Sequence, residues 1–560
     1  MRAFKAVRAI KIENVMLRCL VAEVSRRKSR TWERYFVSQQ VLWLNPVMSV
    51  RGVSLEETPW WNTGTAAAVA IALGTIAVHL ATGWRYGFDR DELMALEDAR
   101  HLAWGYVQYP PMTPFFGWLA LKLFGTSLVG FRFFAALVQA IAVVLTASMA
   151  KHLGGGKWAQ ITAALAGVPF CLGGGALMQY ISFDYVCWVL VAYGVVRLVT
   201  SENPRWWLFI GAAVGLGMLA KYTMCFLVAG LIFGVLATGA RRYLRTVWLW
   251  AGAFVAAAIF LPNFFWEWQR HFVSLEFLRF VHQRDVQSGV TSGFFLGQLE
   301  LTMFALPLAA GGLYFYFAKR SYRLLGWMYV VPLILFVVMR GRDYYLAPAY
   351  PMLYAAGVVW LEKIFTSNEA WTAMHAPNSA FRFALFKPAV WVALALNIAA
   401  AAAVALPLAP VNSPWWKLAS RRDIVFPEEI GWPEFTQSVA QVWQQLSPEE
   451  KLHAAVLAGN YGELGALNLY GSQYGLPLAI SGVNSSWERG YGSPAPETLV
   501  VVGYPREFLE QHFASCEVLG RVWNRYGVAN EETTEDPDIF ACRGLRESWP
   551  EFWRAARKFA

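Results

Sequence analysis

The chain has 560 residues, of which 57% are hydrophobic and only 15% charged, with 27 tryptophans. A mean hydropathy of +0.36 excludes an ordinary soluble globule, because apolar runs recur at the ~20-residue length that spans a bilayer. The formal net charge of +10 does not point to nucleic acid, since much of it lies in residues 1–63 and in short loops between apolar runs, where it sets membrane topology.

Residues 1–63 form a basic tail carrying 11 Lys or Arg, without a clean signal-peptide apolar region. Two readings stand side by side: a cytoplasmic anchor on anionic lipid, or an over-extended start with translation beginning at Met48. From residue 64 the apolar runs give about eleven spans, with about 13 as the upper count. They lie near 64–83, 130–150, 158–175, 181–200, 205–219, 221–238, 246–264, 293–318, 322–339, 343–361 and 384–408. The stretch 205–238 is read as two short helices turning at Ala220-Lys221-Tyr222, because one helix would carry Arg241, Arg242 and Arg245 to the outer side. With the tail cytoplasmic, Lys151, Lys157, Arg205, Lys319, Arg320, Arg323 and Lys363 then also fall inside, as the positive-inside rule requires.

Residues 64–409 thus form a transmembrane module with outer loops at 84–129 and 263–292. After Pro410 the composition turns mixed and turn-rich, and 410–560 reads as an extracytoplasmic α/β domain. Strands are expected at Ala454–Leu457, Thr498–Val502 and Asp538–Cys542, and helices at Phe435–Leu446, Gly462–Tyr470 and Arg506–Phe513. The fold class is therefore a polytopic α-helical membrane protein with a C-terminal α/β domain outside. Cys516 and Cys542 of that domain are a candidate disulfide pair.

Charged residues converge on the outer boundary: Asp91 and Glu92, Asp184, Lys221, and the turn Arg340-Gly341-Arg342-Asp343. Carboxylates at a membrane edge are costly unless solvated or paired, so the set marks a site, and cations beside it suit an anionic, lipid-borne substrate. The bland reading of each is a snorkelling or loop-solvated charge. Asp89 and Arg90 also read as loop charges, and Asp98 with Arg100 as a solvated helix face. His271, His282, Glu267 and Asp285 share the 263–292 loop without the spacing of a known metal motif, and the loop also reads as interfacial. Asn484-Ser485-Ser486 matches a glycosylation sequon.

The motifs Arg90-Asp91-Glu92-Leu93, His101-Leu102-Ala103-Trp104-Gly105-Tyr106 and Tyr109-Pro110-Pro111-Met112-Thr113-Pro114 follow the first span in that order. With Asp184, Gly215 to Tyr222, Arg342-Asp343-Tyr344-Tyr345, Asn460-Tyr461-Gly462-Glu463 and Ser481 to Trp487, the chain resembles the bacterial branch of the protein O-mannosyltransferase and aminoarabinose transferase superfamily over roughly residues 60–550. These are C-type glycosyltransferases. The resemblance implies an integral protein of the bacterial inner membrane that transfers a sugar, with inversion, from a polyprenyl-phosphate donor to a lipid, glycan or protein acceptor outside. On this reading Asp91 is the base, with Glu92 and Asp184 as further catalytic candidates, Asp184 reading equally as a helix cap. Lys221, Arg342 and Arg132 would bind the donor phosphate, and Tyr109, Tyr344 and Tyr345 the substrate. No metal or other cofactor is required. Where several relatives have a charge before the Pro-Pro pair, this chain has Gln108-Tyr109, so a contact there would use a neutral donor. The rival class is a transporter or flippase of a lipid-linked or anionic substrate, which would show inverted repeats and charges near the midplane.

Overall fold

A computed structural model gives the fold of residues 63–366, 379–421 and 425–560. The basic tail up to residue 62, with Cys19 and Met48, lies outside the described residues. Each of the eleven apolar runs is found as a helix or a helix pair. Among the described residues, eight helices are long and apolar enough to cross a bilayer, or nine if one bent pair counts as a single span. The chain is a polytopic α-helical membrane protein.

The first long helix, α1 (Gly64–Thr82), leads into a segment that itself contains two helices, α2 (Arg90–Arg100) and α3 (Met112–Phe124). Helices α4 (Leu128–His152), α5 (Lys157–Ala176) and α6 (Tyr180–Ser201) are long and packed inside the bundle. The arbitrated stretch is two short helices, α7 (Trp206–Ala220) and α8 (Met224–Ala237), with the break at Lys221, whose backbone is extended. Helix α9 (Val247–Gln269) runs past its expected end, so the loop 263–292 begins as helix and then folds into α10 (Val273–Gln287). The remaining runs are α11 (Phe294–Thr302) with α12 (Leu306–Ala318), then α13 (Arg323–Val338), α14 (Tyr350–Thr366) and α15 (Ser379–Ala405). A 3-10 turn over Asp343–Ala349 joins α13 to α14 and carries both candidate tyrosines.

The C-terminal region holds a small mixed sheet of β1 (Ala454–Ala458), β2 (Ile480–Ser481), β3 (Thr498–Val502), β4 (Phe513–Arg521) and β5 (Asp538–Leu545), in the order β2-β1-β3-β5-β4. The first three strands are parallel, and β5 is antiparallel to both β3 and β4. Three strands stand where the alternation predicted. The edge strand β4 was unforeseen, because its residues are mostly exposed and form no apolar run. Its pairing sets Cys516 opposite Cys542, and the two are joined in a disulfide.

Helices α16 (Trp432–Gln445) and α17 (Tyr461–Tyr470) pack this sheet against the membrane module. One apolar core contains Leu93 and Leu96 of α2, Phe131 of α4 and Phe183 of α6 together with Trp432, Phe435, Leu464 and Val500. The close approach of α17 to α2 explains two glycines. A Cβ at Gly465 would stand 2.5 Å from the Leu93 carbonyl oxygen, and one at Gly462 would stand 3.0 Å from the Arg90 Cβ.

Candidate functional site

Helix α2 begins with a capping box: Asp89 caps the free N–H groups, and the Glu92 side chain accepts from the Asp89 backbone N–H. Asp89 is 3% exposed, so it is a structural cap rather than a loop charge. The next two residues diverge, as the ~100° step of a helix requires. Asp91 is half-buried, and its Oδ1 accepts from the Tyr461 hydroxyl at 3.1 Å and its Oδ2 from Gln179 Nε2 at 3.4 Å. Burial holds its carboxyl above the ordinary carboxylate range, while Arg90, the Tyr461 hydrogen bond and Arg342 pull the other way.

Glu92 turns inward and corrects the expectation of a catalytic role. It is fully buried, accepts from the Met178 backbone N–H at 2.8 Å, and pairs with Arg132 at 2.6 Å. Its partner Arg132 is bonded on every nitrogen. Its Nε donates to Glu92, Nη1 to the Gly83 carbonyl, and Nη2 to Glu92, Glu429 and the Gly87 carbonyl. Arg132 and Glu429 nevertheless both stand on the wall of the cavity that holds Asp184 and Lys221. Glu92, Arg132 and Glu429 form a clamp between α2, α4 and the segment before α16.

Lys221 sits in the break between α7 and α8, where the backbone leaves the helix and the side chain is free to turn aside. Its ammonium lies 4.8 Å from the ring centre of Tyr180, 5.2 Å from Tyr344 and 4.4 Å from Tyr345. Three aromatic faces hold the charge without a fixed carboxylate partner among the described residues, which leaves its N–H donors for another anion. Arg342 is held by a two-pronged ion pair with Asp285 of α10, at 2.6 and 2.8 Å, and its remaining nitrogen reaches the Tyr344 hydroxyl at 3.4 Å. Asp184 is the fifth residue of α6 and does not cap it; it accepts from Trp188 Nε1 at 3.1 Å and Thr223 Oγ1 at 3.0 Å.

A cavity of about 990 Å³ opens beside these groups, with Gln179, Asp184, Lys221, Tyr344 and Tyr345 on its wall. Most of the rest is apolar, including Phe170, Leu177, Leu299 and Phe304. The size and lining suit a long apolar ligand with a charged head. Gln179 and Tyr180, adjacent at the start of α6, connect the two halves of the site: the first bonds Asp91 and the second lies under Lys221.

Tyr109 is corrected as a substrate contact. It is 2% exposed, its hydroxyl donates to Asp98 at 2.8 Å, and its ring packs against Tyr106 and Tyr180. Asp98 is likewise no solvated helix face. It is 2% exposed, accepts from Gln108 at 2.7 Å, and is ion-paired with Arg489 of the C-terminal region. Glu267 accepts from Tyr222 and Ser274, so it and Asp285 both have protein partners. Asn484 of the sequon is 6% exposed and bonds the Ala560 carbonyl, which leaves its amide closed to modification.

Gln179, Tyr180 and Tyr461 were not foreseen. Tyr461 lies within a quoted motif, yet nothing local places it against a carboxylate 370 positions earlier. Gln179 and Tyr180 are a polar and an aromatic residue at the start of an apolar run, a signal too common to single out.

Residues 108–266 match the family model described as dolichyl-phosphate-mannose-protein mannosyltransferase. The chain is 26% identical over 243 residues to the lipopolysaccharide core galacturonosyltransferase RgtB of Rhizobium johnstonii, a match covering 42% of this chain and about half, 47%, of that relative. In fold it is similar to ArnT from Cupriavidus metallidurans in the apo state, with a TM-score of 0.52 and 16% identity over 85% of this chain and 97% of that one. The same protein bound to undecaprenyl phosphate matches with a TM-score of 0.52, 17% identity and the same coverage. The chain shares the ArnT fold.

Proposed function

We propose that this chain is a polyprenyl-phosphate-sugar-dependent glycosyltransferase of the protein O-mannosyltransferase and aminoarabinose transferase superfamily, acting by inversion on an acceptor hydroxyl outside the membrane. The observation that carries the reading is the juxtaposition of Asp91, held by two neutral donors, with Lys221 in its tyrosine cage beside a large apolar cavity. The isoprenoid chain lies along the apolar wall, and the phosphate meets Lys221 with Arg342 beside it. Asp91 takes the proton of the acceptor hydroxyl as its oxygen bonds to the anomeric carbon. The bond from that carbon to the phosphate oxygen breaks, and the two cations absorb the charge of the departing phosphate. No general acid is needed, because a phosphate leaves without a proton when its charge is met. Asp184 fixes the turn beside Lys221 through Thr223.

The printed names of the relatives support this reading: one is a galacturonosyltransferase, and another was solved with undecaprenyl phosphate. On the same basis the protein resides in the bacterial inner membrane, with the site and residues 410–560 extracytoplasmic. The test is sugar transfer from synthetic polyprenyl-phosphate sugars in liposomes containing the full chain. Transfer that survives Asp91→Asn would remove Asp91 as the base, and solute flux without transfer would replace the reading with a transporter.

A further inference from the structure

The carboxylate of Asp91 has two side-chain donors, and they come from distant parts of the chain. Gln179 belongs to the membrane module, at the mouth of α6. Tyr461 is the first residue of α17, in the C-terminal α/β region, and its position is over-determined. Asn460 and Glu463 close a capping box around the start of α17, with the Asn460 side chain accepting from the Glu463 N–H at 2.8 Å. The Tyr461 ring lies 5.2 Å from the Arg90 guanidinium, and Arg90 is fixed by paired bonds to Glu531, one of them 2.7 Å. Glycines 462 and 465 let α17 approach α2 closely enough for the hydroxyl to reach Oδ1 of Asp91 at 3.1 Å. Burial keeps the phenol well above its ordinary value, so it remains a neutral donor.

We propose that Tyr461 is a positioning residue for Asp91, through which the C-terminal α/β region becomes part of the active site. One oxygen of the carboxylate is held by Tyr461, which directs the remaining lone pairs towards the acceptor and favours the ionised form needed to take a proton. A region that only covered the bundle would need no donor at this atom. The proposal rests on Asp91 as the base, and its test separates the two.

The carboxyl stretch of Asp91, identified by infrared difference spectroscopy as the band lost in Asp91→Asn, is titrated in the detergent-solubilised full chain. In Tyr461→Phe, which keeps the ring over Arg90 and removes one oxygen, the midpoint should rise by about one pH unit. The acid limb of sugar transfer should rise with it, and activity should recover at higher pH. Incorporating 3-fluorotyrosine at position 461 strengthens the donor and should move the midpoint down, which decides the matter if Tyr461→Phe does not fold. An unchanged midpoint in both variants overturns the positioning role even if Asp91→Asn is inactive. Full transfer by Asp91→Asn overturns the base itself, and with it the catalytic meaning of the contact.

Discussion

Adjacent carboxyls on one helix do different work here because the helix turns them to different surroundings. Asp91 meets neutral donors and the site, whereas Glu92 meets Arg132 and two backbone N–H groups. Since burial raises Asp91 above the usual carboxylate value of ~3.9, its proton-accepting form is lost at a higher pH than for an exposed aspartate. Transfer by the wild type should therefore fall as pH drops through a value above that range, and a rate-against-pH series with saturating donor reads the midpoint. The cations divide in the same way. Lys221→Met should weaken donor binding and slow transfer by about 10²-fold or more with little change in thermal unfolding. Arg132→Met removes the cation from between the buried carboxylates of Glu92 and Glu429 and should cost about 3–5 kcal/mol of stability. Thermal unfolding of the two variants in one detergent, alongside their kinetics, separates the roles.

Helices were legible in the sequence where length and apolarity were strong, and legibility failed where an element owed its form to a neighbour. The break at Lys221 could be placed from loop charge alone, because positive residues report which side a loop occupies. Helices α2 and α10 hide in loops because their buried faces are covered by the C-terminal region and by the bundle, not by a lipid-length apolar run. The same holds for the site: Asp91, Lys221 and Arg342 stand out as charges at a membrane edge, but no local pattern reveals that Arg132 and Tyr109 are already engaged. Contact between α2 and α17 is set by missing side chains. Gly465→Ala would place a methyl 2.5 Å from the Leu93 carbonyl oxygen, so it should destabilise by roughly 1–3 kcal/mol and tilt Asp91 with its helix. A fall in unfolding temperature together with lost transfer is the expected pair of readings.

At the scale of the molecule, the bundle and the sheet region share a core, tied further by the Arg489 bonds to Glu97 and Asp98 and the Arg90 bond to Glu531. Orientation across the membrane is open to a direct measurement. With Cys19 and Cys225 replaced by serine, a cysteine at Glu510 should react with an impermeant maleimide in intact spheroplasts, and one at Arg241 only after permeabilisation. The reverse pattern would invert the topology.

The bond from Tyr461 to Asp91 also bears on biogenesis. Asp91 leaves the ribosome early and enters the membrane with the first helices, but its outer donor is made 370 residues later. The Glu92–Arg132 clamp waits almost as long for Glu429, 297 positions beyond Arg132. A nascent or truncated chain therefore carries Asp91 without the hydroxyl that bonds it, and Arg132 without one of its two carboxylates, until synthesis is nearly complete.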